Sequence, residues 1–144
     1  MTTIKLHPRR AARQCVLEAL FAYQFSKNDK FEIIDGLVNK NSVLKDNYVF
    51  IKTLFNSVFT KKEWTENVIK SHLENWEIDR VAQIDKILLK MGICEIYFIS
   101  DIPPKVTISE MVEIAKIYST DESPIFINGI LDAVFKDYLK ENKK

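Results

Sequence analysis

From Arg9 to Ser26 the apolar residues Ala12, Val16, Ala19, Leu20 and Tyr23 fall at helical spacing, and Leu17, Phe21 and Phe25 widen the apolar surface beyond one stripe. The pattern predicts a helix that is central to its fold or has a second partner. Asn28 and Asp29 close it and open a shorter helix on Phe31, Ile34, Leu37 and Val38, which the polar stretch 39–42 ends. A third helix is predicted over 44–59 on Val49, Leu54, Phe55 and Val58. Thr60 with Glu63 has the spacing of a capping box, opening a fourth through Trp64, Val68, Ile69 and Leu73. The segment 75–79 reads as the joint between an N-terminal subdomain, 1–77, and a C-terminal one, 78–144.

The second half carries the strongest periodicity. Val81, Ile84, Ile87, Leu88, Met91, Cys94 and Phe98 recur at three and four, and the helix they predict must end before Pro103 and Pro104. Thr107 and Glu110 form a second capping-box pattern ahead of Val112, Ile114, Ala115 and Tyr118. Ser123 as N-cap with Pro124 at the first helical position predicts a last helix through Tyr138 and Leu139, in which Gly129 and Ala133 leave room for another backbone. With about seven helices and no alternation of period two, the chain reads as all-α, two small helical subdomains packed together.

Composition narrows the function. Of 144 residues 47% are hydrophobic, so a packed interior is available, while three glycines and four prolines are too few for a barrel of many short strands. Gly36, Gly92 and Gly129 cannot build a glycine-rich phosphate loop. Cys15 and Cys94 stand alone in apolar segments and read as reduced core thiols. No apolar run reaches the roughly 20 residues that span a bilayer, so the expectation is a soluble, cytoplasmic protein. His7 and His72 lie at no zinc-binding spacing, no nucleophile stands beside a base, and neither metal, cofactor nor enzyme activity is expected.

Charge placement is the informative feature. Residues 1–17 hold Lys5, Arg9, Arg10 and Arg13 and no acid, whereas the other 127 carry 17 basic and 20 acidic side chains. Three of the chain's four arginines fall at 9–13. Each costs on the order of 0.3–1 kcal/mol against the positive end of the helix dipole, so the cluster needs a compensating partner. One reading is a solvated end or ion pairs with acids such as Asp121 or Glu122; the other is a phosphate site in which guanidinium forks add to the helix-end amides. Ser123 and Phe126 pair a small polar group with an aromatic at another helix start. They read either as cap and core or as a face for an unpaired base. Phe21 and Phe25, on the widened face of the first helix, are core residues or dock a partner.

Four stretches together resemble the NusB transcription antitermination factor family: RRAARQCVLEALFAYQFS at 9–26, IDKILLKMGICEI at 84–96, DIPPKVTISEMVEIAK at 101–116 and SPIFINGILD at 123–132. The resemblance implies an all-helical RNA-binding protein of two three-helix subdomains. Such a protein pairs with NusE, a small-subunit ribosomal protein, to hold the single-stranded boxA element of nascent RNA. The pair then joins an RNA polymerase antitermination complex, chiefly on ribosomal RNA operons, by binding alone. On this resemblance Arg9, Arg10, Arg13, Ser123 and Phe126 contact RNA, and Phe21, Phe25 and Asp85 contact the partner. The first-helix aromatics suit either NusE or a homodimer. Ala11 stands where many relatives carry another basic residue, and Phe21 lacks the hydroxyl of the tyrosine common there. With no room for a catalytic domain before Lys144, the chain reads as the free-standing factor. The competing reading is a helical protein–protein adaptor that does not bind RNA.

Overall fold

The computed structural model describes residues 8–26, 29–74 and 77–142. The charge of Lys5, His7, the turn at Asn28 and the first half of the expected joint lie outside the described residues. Among the described residues the fold is all-α and contains no strand: α1 (Pro8–Phe25), α2 (Lys30–Val38), α3 (Ser42–Asp46), α4 (Tyr48–Thr60), α5 (Lys62–Ser71), a 3-10 turn (Ile78–Arg80), α6 (Gln83–Phe98), α7 (Pro104–Tyr118) and α8 (Ser123–Glu141). The chain divides into two compact units, Met1–Phe55 and Asn56–Lys144, so the boundary falls inside α4, earlier than the expected joint at 75–79.

In the first unit Ala12, Val16, Leu17, Ala19 and Leu20 of α1 are buried, together with Ile34 and Val38 of α2 and Ile51, Leu54 and Phe55 of α4. The periodicity selects all of these but Ile51, and it also selects Val49, which is 77% exposed. Asp29 caps α2 by accepting from the Phe31 N–H at 2.8 Å, and Asn41 caps α3 through Val43 at 2.8 Å. The single helix expected over 44–59 is split at Asn47. Its side-chain amide donates to the Val43 carbonyl at 3.0 Å and its N–H to Leu44, ending α3, while its own carbonyl accepts from Ile51 and starts α4.

In the second unit α6 is the central element, with α5, α7 and α8 packed on it. Residues 87–96 are all buried, which is why the apolar pattern there runs wider than one stripe. The close approach is at Gly92, not Gly129, and it is made by a side chain rather than by another backbone: a Cβ on Gly92 would lie 2.7 Å from Leu131 Cδ1, whereas one on Gly129 would meet nothing within 4 Å. On α5, Trp64 stacks edge-on against Tyr97 at 5.0 Å, and Glu66 accepts from Lys90 at 2.8 Å. These contacts explain why α5 belongs to the second unit.

Three expected helix caps are not formed. Thr60 is the last residue of α4 and donates back to Asn56 at 2.8 Å, leaving α5 with Lys61 at its N-cap and no side-chain cap. α7 begins three residues before Thr107, at Pro104, whose missing donor and fixed φ suit a helix start. Thr107 is buried and donates to Glu95 at 2.8 Å. Ser123 is the first residue of α8 rather than its cap. In each case the hydroxyl finds a more buried or more local acceptor than the helix end offers.

Candidate nucleic-acid interface

Arginine enters at the very start of α1, whose first turn holds no acid. Arg9 is exposed and Arg10 half-buried, whereas Arg13, one turn further on, is only 2% exposed. The Arg9 guanidinium lies 4.1 Å from the centroid of the Phe50 ring and that of Arg13 lies 5.4 Å from it. Phe50 thus supplies the negative face of an aromatic ring to two cations that the helix dipole disfavours, each such contact worth about 0.5–1 kcal/mol or more when desolvated. Nothing in the sequence singled out Phe50, which reads as one more apolar residue of α4.

At the far end of α1, Phe21 and Phe25 stack with centroids 5.1 Å apart; Phe21 is 37% and Phe25 73% exposed. One face of α1 therefore ends in an aromatic pair that the described core leaves uncovered.

The second patch is concave. Asp85 stands in the first turn of α6 but points inward: Oδ1 accepts from the Ser119 hydroxyl at 2.6 Å and Oδ2 from the Ser123 hydroxyl at 2.7 Å. Ser123 lies 2.9 Å from both Ser119 and Thr120. One carboxylate thereby ties the start of α6, the end of α7 and the start of α8. At 6% exposure, with an acceptor bond on each oxygen, Asp85 offers little surface to a partner. Ser123 is equally internal, at 1%. In front of this network lies a cavity of about 290 Å³ lined by Arg80, Val81, Ala82, Thr120, Glu122 and Phe126, with Asp85 and Ser123 behind. Sequence reasoning set Ser123, Phe126 and Asp85 in two different roles; the structure brings them to one place and adds Arg80.

Among the described residues no group of three or more histidine, cysteine, aspartate or glutamate side chains could hold a metal ion. Both cysteines are free and buried. Burial, with Glu18 nearby, pushes the Cys15 thiol up to about 11; burial, with Glu95 nearby, pushes Cys94 up to about 12. No described helix is long and apolar enough to cross a membrane.

The model of the NusB family matches residues 10–136. The chain belongs to the NusB family. A transcription antitermination protein NusB of Chloroherpeton thalassium is 39% identical over 133 residues, a span of 90% of this chain and 62% of the relative. Among solved structures, NusB of T. maritima aligns with a TM-score of 0.79 at 31% identity over 95% of this chain and 94% of that one. A structure of antitermination factors NusB and NusE in complex with double-stranded RNA aligns with the same score at 25% identity, over 92% of this chain and 99% of that one. The matched NusB region contains both patches except Arg9, from Arg10 through Phe126.

Proposed function

We propose that the protein is a transcription antitermination factor: with NusE it binds single-stranded boxA RNA and helps assemble an antitermination complex on RNA polymerase, in the cytoplasm, by binding without covalent chemistry. The observation that carries this reading is the acid-free start of α1, where Arg9 and Arg10 stand at a helix N-terminus and Phe50 backs Arg9. A phosphate placed there relieves the repulsion between guanidinium and helix dipole instead of adding to it. A NusB-family structure that holds both NusE and RNA supports the choice of partners. The RNA is taken as single-stranded because an A-form duplex hides its base edges in a deep groove, whereas unpaired bases can stack on an aromatic such as Phe126.

Within this reading Arg9, Arg10 and Phe126 touch RNA. Arg13 and Ser123 are too buried to do so and act by positioning, Arg13 against Phe50 and Ser123 within the Asp85 network. Phe21 and Phe25 offer the apolar surface for NusE or for a second copy. That exposed pair is also what favours the alternative, an adaptor that binds only protein.

Fluorescence anisotropy of a labelled boxA-like single strand, against a scrambled strand and a duplex, with and without NusE, separates the two. Preference for the boxA strand, strengthened by NusE, is expected. Log K should fall with log salt at about −0.7 per phosphate contact, and Arg9→Ala/Arg10→Ala should make that slope shallower by about 1.4. Equal, negligible affinity for all three RNAs with NusE present would leave the adaptor.

A further inference from the structure

We infer that the cavity beside Phe126 takes one unstacked nucleobase of the bound RNA, and that Arg80 holds the phosphate adjoining it. The inference rests on the RNA-binding reading and goes beyond it by naming what enters the cavity and a residue that no sequence feature had marked.

Arg80 is the single arginine outside residues 9–13. It closes the 3-10 turn, is exposed, and among the described residues its guanidinium has no carboxylate within ion-pair distance. A lysine-rich chain has placed its most phosphate-selective side chain at the rim of a cavity that an aromatic, Phe126, also lines. About 290 Å³ is at the small end of the roughly 300–1,000 Å³ typical of small-ligand pockets, which suits one flat heterocycle and not a helix or a duplex. Val81, Ala82 and Phe126 provide apolar walls for its faces. The floor is already satisfied: the hydroxyls of Ser119, Thr120 and Ser123 bond to Asp85 or to one another, so the wall behind the base is held rigid and the buried carboxylate is covered. Glu122 is the one lining carboxylate outside that network. Among the described residues its carboxylate has no donor, so it favours a base that presents an amino group, adenine, cytosine or guanine, over uracil, which has only one imino N–H to offer.

The test uses the full chain with NusE and a set of short boxA-like RNAs, each carrying one abasic nucleotide at a different position. With the wild type, one abasic position should weaken binding about tenfold or more, the size of a lost base–aromatic stack. In Phe126→Leu the penalty at that position should largely disappear, because the two deletions remove the same contact. Arg80→Ala should weaken the intact RNA several-fold and make the salt slope shallower by about 0.7, one phosphate's worth, while Arg80→Lys keeps the slope. Uridine placed at the sensitive position should bind more weakly than adenosine, cytidine or guanosine there, but more tightly than the abasic strand, because it keeps the stack on Phe126.

The outcomes separate the two claims. A wild type that binds no single strand at all would remove the RNA reading and this inference with it. A wild type that binds and is weakened by Arg9→Ala/Arg10→Ala, but whose Arg80→Ala variant keeps both affinity and slope, would overturn the Arg80 assignment alone. Abasic penalties of similar size at every position, unchanged in Phe126→Leu, would overturn the base pocket. Because Arg80 is exposed on a short turn, its variants should keep the wild-type far-UV circular dichroism.

Discussion

On the proposed reading the start of α1 and the start of α8 both put a recognition group at a helix end, but they are built on opposite principles. At α1 the proposed recognising groups are charges on one contiguous segment, and Phe50 of α4 supports Arg9 and Arg13 from another helix. At α8 the recognising surface is a cavity assembled from residues 80–85, 119–123 and 126, and a buried carboxylate fixes its geometry. The first can supply affinity for any polyanion. The second can tell one nucleotide from another, because discrimination needs walls and a rigid floor. A convex cationic site tolerates small movements of its side chains; a base-sized cavity does not.

Removing the Asp85 carboxylate is expected to have the largest effect. Asp85→Ala loses two charge-assisted hydrogen bonds, and about 2–4 kcal/mol of stability should go with them, read as a lower urea midpoint at an unchanged slope. Arg9→Ala/Arg10→Ala should change stability by no more than about 1 kcal/mol. Equal destabilisation by the two would erase the distinction drawn above.

A smaller effect sharpens it through pH. Burial would raise the Glu66 carboxyl, but the hydrogen bond and charge of Lys90, with Lys62 and Lys86 nearby, outweigh burial and hold it below the ordinary 4.5. Its folded-state value being depressed, its contribution is complete above pH 4.5 and is lost as pH falls through the lower folded value. Glu66→Gln should cost about 1–2 kcal/mol at pH 7, since Lys90 is only 9% exposed and loses its counter-charge, keeping at best a neutral acceptor. The gap between variant and wild type should close on acidification; a gap constant from pH 7 to pH 3 would refute the assignment.

The smallest effect compares the two units directly. Cys15 reports the first and Cys94 the second, and burial pushes their thiols up to about 11 and about 12. Alkylation at pH 8 should be slow at both in the folded protein and slower at Cys94, with both reacting readily in denaturant. Faster reaction at Cys94 would show that the unit holding the cavity opens more readily than the one holding the arginines.

Helix existence, the core faces of α1 and α6, and the arginine cluster were all legible because they are local: periodicity and charge density need no knowledge of what lies opposite. The errors were local rules overruled by tertiary acceptors. Thr107 matches a capping box, yet its hydroxyl serves the buried Glu95, since a hydrogen bond to a buried carboxylate is worth more than one to an exposed helix end. Ser123 was drawn away from its cap by Asp85 in the same manner. Gly129 and Gly92 look alike in sequence, and only the position of Leu131 decides which glycine is required.

By itself, then, the sequence determined an all-α chain of the NusB family with a cationic first helix, because hydrophobic period and charge are properties of single segments. Only the tertiary structure decided that Arg13, Asp85 and Ser123 are internal, that Phe50 lies under Arg9 and Arg13, and that Arg80 shares a cavity with Phe126. Each of those facts depends on side chains 35 or more residues apart in the chain, or on burial, and no local pattern encodes either.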